Sequence, residues 1–480
     1  MERTPIPIQR LGGINKNHNR DITQPSNGKN FFTRDGSLNS RPGLLQLPTT
    51  FNDPIYAMLS CKQAQLTERL IVQTGGRLHY NIYSGQPWQQ GPEISGYAYG
   101  NTWREYLIIS CGLKVPVFHI ESGTFVGDLT NFGAPSCLFT STWKDYIWTI
   151  PGPNMGPAYK LRFNGYEYEP NPEGWEEGDP RKIKDRSILD WPEKHSVSIG
   201  DGTSVIAGIP MGGSLLVLTG ASMWHLYGNS EDDFQVTQGS TLGAYNPLFN
   251  VATMVLDYPL WLSNNRKVYT YTGSVAEHVS GPIDELLEQE FKTIPRPAPR
   301  VYTLNNQFWM FMVRNIYNAN PLLPTTRAYV FDPKEKEWYI MEFAGHILSA
   351  CVYDNKIHFG LKDGRIMYMD STALTDFGNP IKTSFTIGPI EMGSRKIKVK
   401  SFHLNAEPRN NFGVDVYATV DDKTELNGPY RAEFKSGNEH QQRIKLSGVK
   451  GKTLSLTVET TDRIDELQGG TLVVVPKQVK

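Results

Sequence analysis

Cysteine is scarce in this 480-residue chain, and its few thiols share no task. Cys61, Cys111, Cys137 and Cys351 lack any Cys-x-x-Cys spacing, which excludes the common zinc and dithiol motifs. Each lies in or beside an apolar run, where a free thiol acts as a small hydrophobe. No Asn-x-Ser/Thr sequon is present, and no apolar run approaches the roughly 20 residues that span a bilayer. Residues 30–48 have neither the apolar core nor the cleavage site of a signal peptide. Excess charge is missing too: 48 Lys and Arg against 49 Asp and Glu argue against a protein whose main task is gripping a nucleic-acid backbone. GxSxG, GxGxxG, P-loop and HExxH patterns are all absent. These absences point to a non-enzymatic protein made in a reducing cytoplasm and not inserted in a membrane.

Turn formers and aromatics are abundant, with 44 Gly, 32 Pro and 11% Phe, Trp and Tyr, as many short strands require. Residues 55–370 carry recurring β hairpins. The sharpest self-match sets NTWREYLIIS (101–110) against STWKDYIWTI (141–150), with Trp103 and Trp143 a step of 40 apart. That step is the length of one four-stranded propeller blade. Looser copies at 68–82, 206–228, 254–273, 300–313 and 350–370 bring the count to about seven units. Gly75-Gly76, Asn264-Asn265, Asn305-Asn306, Asp354-Asn355 and Asp363-Gly364 suit the positive φ of hairpin turns. The chain lacks the kelch Tyr and Trp offsets and the Trp-Asp dipeptide of WD40 blades.

Two segments interrupt the rhythm. Residues 164–198, rich in charge, Pro and Gly, read as a long insertion between blades. PIDELLEQEF (282–291) reads as a helix whose buried face is Ile283, Leu286, Leu287 and Phe291. Beyond residue 380, five or more alternating strands predict an antiparallel β-sandwich. Residues 380–480 also hold 16 Lys and Arg against 12 Asp and Glu, which marks them as a separate unit. The fold class is therefore all-β: an irregular β-propeller of six to eight blades followed by a C-terminal antiparallel β-sandwich. The domains expected are a lead-in arm at 1–48, a propeller at 49–375 with the 164–198 insertion, and a sandwich at 380–480.

No catalytic, cofactor-binding or metal-ligating residue is assigned from sequence, and no cofactor is expected. His79, His119, His225 and His358 lie in strands of different units. A shared channel lining would make them a metal or proton-sensing ring, but a half-buried slot beside aromatics explains each more simply. In RKIKVK (395–400), Lys396, Lys398 and Lys400 share one face, and Ile397 and Val399 the other. The stripe reads as a solvated face that protects an edge strand, or as a contact for phosphate or an acidic partner. Carboxylate pairs Glu176-Glu177, Asp232-Asp233 and Asp421-Asp422 sit in polar turns. Exposed aromatics such as Trp88, Trp175 and Trp191 would serve a rival carbohydrate-binding propeller, lectin-like or glycosidase-related.

The run RDGSLNSRPG (34–43) after a polar lead-in carrying Asn30 precedes the hairpin array. A hairpin followed by a short helix at 266–291 and RIKLSGVKGKTLSLTVETT (443–461) near the end complete the layout. It resembles the tail hub or nozzle proteins of short-tailed bacteriophages, also described as packaged-DNA stabilisation proteins or tail tubular protein B. The resemblance spans most of the chain, and the 164–198 insertion departs from it. It implies a structural protein of the virion tail, assembled in the host cytoplasm. A homo-hexameric ring would sit below a portal–adaptor complex and meet tail-fibre or tail-needle proteins. The ring would retain packaged DNA and pass it during ejection without sequence-specific binding. The lead-in would order on a neighbouring protein.

Overall fold

The computed structural model describes residues 4–9, 11–16, 24–62, 68–81, 87–152, 157–165, 186–245, 249–294, 298–313, 326–391, 397–421, 426–437 and 440–476. Seven four-stranded antiparallel sheets form a β-propeller. The first strands of the seven blades are Ile55–Cys61, Tyr99–Trp103, Phe139–Trp143, Val205–Pro210, Ala252–Val255, Arg300–Leu304 and Ile347–Tyr353. Each contacts the next, and the seventh returns to the first, so the ring is closed.

The strongest sequence repeat has a mechanical origin. Trp103 and Trp143 end the first strands of blades two and three and are both buried. The Trp103 indole donates to the carbonyl of Asp145 at 2.9 Å, and the Arg104 guanidinium pairs with the Asp145 carboxylate. The tight turn of one blade thus grips the tight turn of the next. Arg104, Lys144 and Asp145 all take positive φ, as do both residues of the Gly75, Asn305 and Asp354 turns. At 264–265 the left-handed residue is Arg266 instead.

Blade four is pinned by a partly buried network. The Asp201 carboxylate accepts hydrogen bonds from the Thr203 backbone (2.8 Å), the Thr203 and Thr219 hydroxyls (2.7 and 2.6 Å) and Ser222. Burial pushes this carboxyl up, but the hydrogen bonds prevail and hold it at about 2, below the ordinary 3.8. The charged form is therefore favoured by folding. The stability it contributes is present above about pH 4 and drains away as pH falls through about 2. Asp201→Ala is expected to cost about 1.5–3 kcal/mol at neutral pH and to flatten the acid limb in that window. Urea midpoints measured from pH 7 down to pH 2 check this.

The insertion expected between blades lies instead within blade three, between its third strand, Lys160–Phe163, and its fourth, Ser196–Ser198. Residues 166–185 lie outside the described residues. Chain spacing misled the reading because the fourth strand has only three residues and hides behind a long polar loop. Helix α1, Asp284–Thr293, follows a 3-10 turn at Gly281–Ile283, and Ile283, Leu286, Leu287 and Phe291 are buried as its periodicity predicts. Glu290 is also buried, bonded to Arg327 (2.8 Å) and the Tyr329 hydroxyl (3.1 Å) of blade six.

Blade seven takes its fourth strand from the start of the chain: Gly43–Thr50 pairs antiparallel with Arg365–Asp370. The rest of the lead-in joins the C-terminal sandwich. Thr4–Gln9 pairs with Leu467–Pro476, and Asn27–Lys29 pairs with Thr383–Glu391. Phe31–Arg34 and Ser37–Ser40 form a hairpin at the edge of the same sandwich, with Asp35 and Gly36 at φ 52° and 77° in its turn. The expected tether to a neighbour is therefore corrected: these strands find partners within their own chain.

The sandwich has two sheets. One places Ile397–Ala406 and Leu467–Pro476 at its centre, and the other pairs Thr383–Glu391, Thr453–Thr460, Phe412–Val420 and Asn427–Phe434 in that order. Alternation sends Phe402, Leu404, Leu456 and Val458 inward, all at or below 1% exposure. Phe31 bridges the modules, edge-on to Tyr339 of blade six (6.2 Å) and Phe385 of the sandwich (6.1 Å). One apolar core runs through both.

Candidate functional site

The four histidines do not converge. His79 lies against Phe51, His225 against Tyr227 and Tyr271, and His358 between Tyr353 and Tyr368. Burial pulls all three imidazoles below their ordinary value, so they are neutral packing groups near pH 7. His119 differs, because two glutamates approach it.

The four thiols are buried, and burial pushes Cys61 and Cys111 up to about 12, far from thiolate reactivity. Asp233 accepts the backbone N–H groups of Asn229 (2.8 Å) and Ser230 (2.7 Å), and Asp421 those of Lys452 (2.5 Å) and Thr453 (3.2 Å). These carboxylates shape turns. Glu176, Glu177, Asp422 and Trp175 lie outside the described residues. Trp191 is buried with its indole on the Ile188 carbonyl (2.8 Å), and Trp88 packs on Phe51 with its indole on Thr49 (3.1 Å). Neither forms a free platform for a sugar ring.

The propeller's own axis is crossed by side chains. The Tyr99 hydroxyl of blade two accepts the Asn250 N–H, which precedes blade five, at 3.1 Å. Those blades are not neighbours in the ring, so this bond spans its centre. Tyr97 packs on Phe249 at 4.6 Å, and the buried Arg300 guanidinium lies 4.1 Å from the Phe249 centroid while donating to the Tyr56 carbonyl at 3.4 Å.

Among the described residues, a concave surface of clear chemical character lies on the sandwich. A cavity of about 600 Å³ is lined by Lys398, Lys400, Ser401, His403, Arg443 and Lys445, with no carboxylate among the described residues of its wall. The register explains the clustering. Ser401 faces Lys445 and His403 faces Arg443 across paired strands, so alternate residues of both strands share the outer face. A bulge between Val399 and Ser401 leaves Lys400 as an extra, exposed residue. The strand carrying RKIKVK is interior, flanked by Leu467–Pro476 on one side and by His440–Lys445 and Lys450–Gly451 on the other. The edge-guarding reading of its lysines is thereby corrected. Lys396 lies outside the described residues. Arg443, Lys445 and His403 escaped the sequence reading because only strand register brings them beside Lys398 and Lys400.

No family model and no curated protein matches the chain. Among solved structures it is similar to virginiamycin B lyase from Staphylococcus aureus, at 10% identity and a TM-score of 0.42, covering 68% of this chain and 97% of that one. It is also similar to BamB from Moraxella catarrhalis, at 10% identity and a TM-score of 0.38 over 77% of this chain and 97% of that one. The computationally designed Ika8 protein matches at 10% identity with a TM-score of 0.38, covering 68% and 99%. Likenesses this remote say nothing about activity, and the propeller assignment rests on the seven sheets themselves.

Proposed function

We propose that this chain is a structural protein of a virion tail, a hub or nozzle subunit that assembles into a hexameric ring below a portal–adaptor complex and guides DNA during ejection. The observation that carries the reading is the basic groove of the sandwich, a cluster of lysine, arginine and histidine side chains suited to phosphate on a chain whose net charge is only −1. Such a surface holds DNA weakly and without base contacts, as a conduit requires, because counterion release scales with the few phosphates it meets. The stitched propeller and sandwich supply rigidity. Side chains across the propeller axis support a bore formed between subunits rather than through the propeller. The layout that resembles tail hub proteins supports the same reading.

Two measurements test it. Electron microscopy of the purified protein or its parent particle is expected to show six-fold rings with an open bore; a lone closed disc counts against the proposal. Duplex DNA binding is expected to be sequence-indifferent and strongly salt-dependent. Changing Lys400, Arg443 and Lys445 to Ser should reduce the slope of log K against log salt by about 0.9 per lost phosphate contact. Binding unchanged by the triple substitution removes the groove from the mechanism.

A further inference from the structure

We propose that Glu105, His119 and Glu121 form a divalent-cation site on blade two, independent of the basic groove and of the virion reading. Glu105 and Glu121 lie in two turns at the same end of the blade, and His119 ends the strand that leads into the second. Tyr106 pairs directly with His119, which sets Glu105, in the preceding tight turn, beside the histidine. The Ile120 N–H donates to the Glu105 carbonyl at 3.0 Å, tying the second turn to the first. One ligand atom from each of the three residues lies within 4.8 Å of the other two.

His119 is the independent pointer to a ligand. It is 6% exposed, and its Nε2 is buried with no hydrogen-bond partner among the described residues. That nitrogen faces the Glu105 carboxylate at 3.6 Å, too far for a hydrogen bond. It is close to the separation of about 3.4 Å that two ligands of one tetrahedral zinc adopt with bonds near 2.1 Å. The other ring nitrogen is already held: Nδ1 lies 2.9 Å from the Ser122 hydroxyl, which is 2.8 Å from the Thr124 hydroxyl. With Nδ1 protonated and donating to Ser122, Nε2 presents its lone pair, as in metal-bound histidines whose other ring nitrogen is held by a hydrogen bond. The Ser122 N–H also approaches Nδ1, at 3.3 Å, and favours the opposite tautomer when no cation is bound.

Two cations lie nearby. Arg104 pairs with Asp145 and lies 4.4 Å from the Trp103 ring centroid, and Arg69 donates to the Glu121 backbone carbonyl at 3.5 Å, so its charge also sits beside this end of the blade. Glu105 is half-buried and Glu121 exposed, so closing the site on an ion would require their side chains to adjust. One imidazole and two carboxylates suit Zn²⁺ or Mn²⁺, with water completing the shell. Binding would clamp the two turns and stabilise the blade.

Isothermal titration of the full chain, stripped with chelator, tests this with ZnCl₂ and MnCl₂ as probes. One saturable site per chain and a rise in melting temperature are expected. His119→Gln and Glu105→Gln should each weaken binding tenfold or more, while Glu93→Gln, at an exposed carboxylate of blade one, should leave it unchanged. Cu²⁺ as a spectroscopic probe should show hyperfine coupling to one imidazole nitrogen that His119→Gln removes, a readout that loss of folding alone does not mimic while circular dichroism stays native. Absence of saturable binding, or equal binding by the parent chain and both site variants, overturns the proposal as adventitious surface binding.

Discussion

Replacing Arg41 with Met is expected to destabilise the protein by about 3–5 kcal/mol, the cost of breaking a buried ion pair from one side. Arg41 is 3% exposed and Asp376 5%, and the guanidinium binds both carboxylate oxygens. The same guanidinium donates to the Asn30 side chain (3.0 Å) and to the Glu342 carbonyl (2.8 Å), and lies 4.4 Å from the Phe343 ring centroid. Asn30 in turn receives the Glu342 N–H (2.7 Å) and donates to the Lys382 carbonyl (2.9 Å). One side chain therefore satisfies polar groups from the lead-in, blade six and the link into the sandwich. Methionine fills much of the volume but leaves the Asp376 carboxylate desolvated and unpaired. Urea unfolding measures the loss. In a double-mutant cycle, adding Asp376→Asn should recover part of it, since the stranded charge is then gone. A loss below 1 kcal/mol for Arg41→Met would mean that water reaches Asp376 and that the seam is not sealed.

A second charged chain runs alongside. Arg327 joins Glu290 of α1 (2.8 Å) to Glu342 (2.6 Å), and Lys29 completes the line at 2.7 Å from Glu342. Burial pushes the Glu342 carboxyl up, but Arg327 and Lys29 outweigh it and hold it below its ordinary value. Charges this deep add little net stability over an apolar core, but they penalise any other docking of the two modules.

Local physics was legible in the sequence. Trp103 and Trp143 repeat because each occupies the same seam between blades, and the strand Thr453–Thr460 alternates because one face is buried at every second residue. What escaped was pairing at long range. Nothing within GLLQLPTT says that it closes a blade against Arg365–Asp370, more than 300 positions away. The strand Asn427–Phe434 carries Gly428 and Pro429 near its start, residues that weaken a strand signal; it is an edge strand, where a proline costs no ladder bond. The candidate sites divide the same way. Lys398, Lys400 and His119 stood out in their strands, but Arg443, Lys445, Glu105 and Glu121 become their neighbours only through register and turn placement.

A chain lacking residues 1–50 is expected to lose its native fold altogether. The deletion removes the fourth strand of blade seven and four strands of the sandwich, and with them Ile8, Phe31, Leu38 and Leu44, none more than 4% exposed. Arg365–Asp370 becomes an unpaired edge, and Asp376 loses its cation. The position of Gly43 shows how tightly this segment is built in: a Cβ there would stand 2.6 Å from the Thr375 carbonyl and 2.8 Å from that of Ala373. Single substitutions grade the effect, with Phe31→Ala expected to cost about 3–5 kcal/mol from the loss of a fully buried ring between blade six and the sandwich. Size-exclusion chromatography, dye binding and limited proteolysis of the truncated chain distinguish the possibilities. Aggregation or a proteolysed, dye-binding species is the expected result. A compact, protease-resistant product with an unchanged melting temperature would instead mean that the lead-in is an appendage, and that propeller and sandwich each close without it.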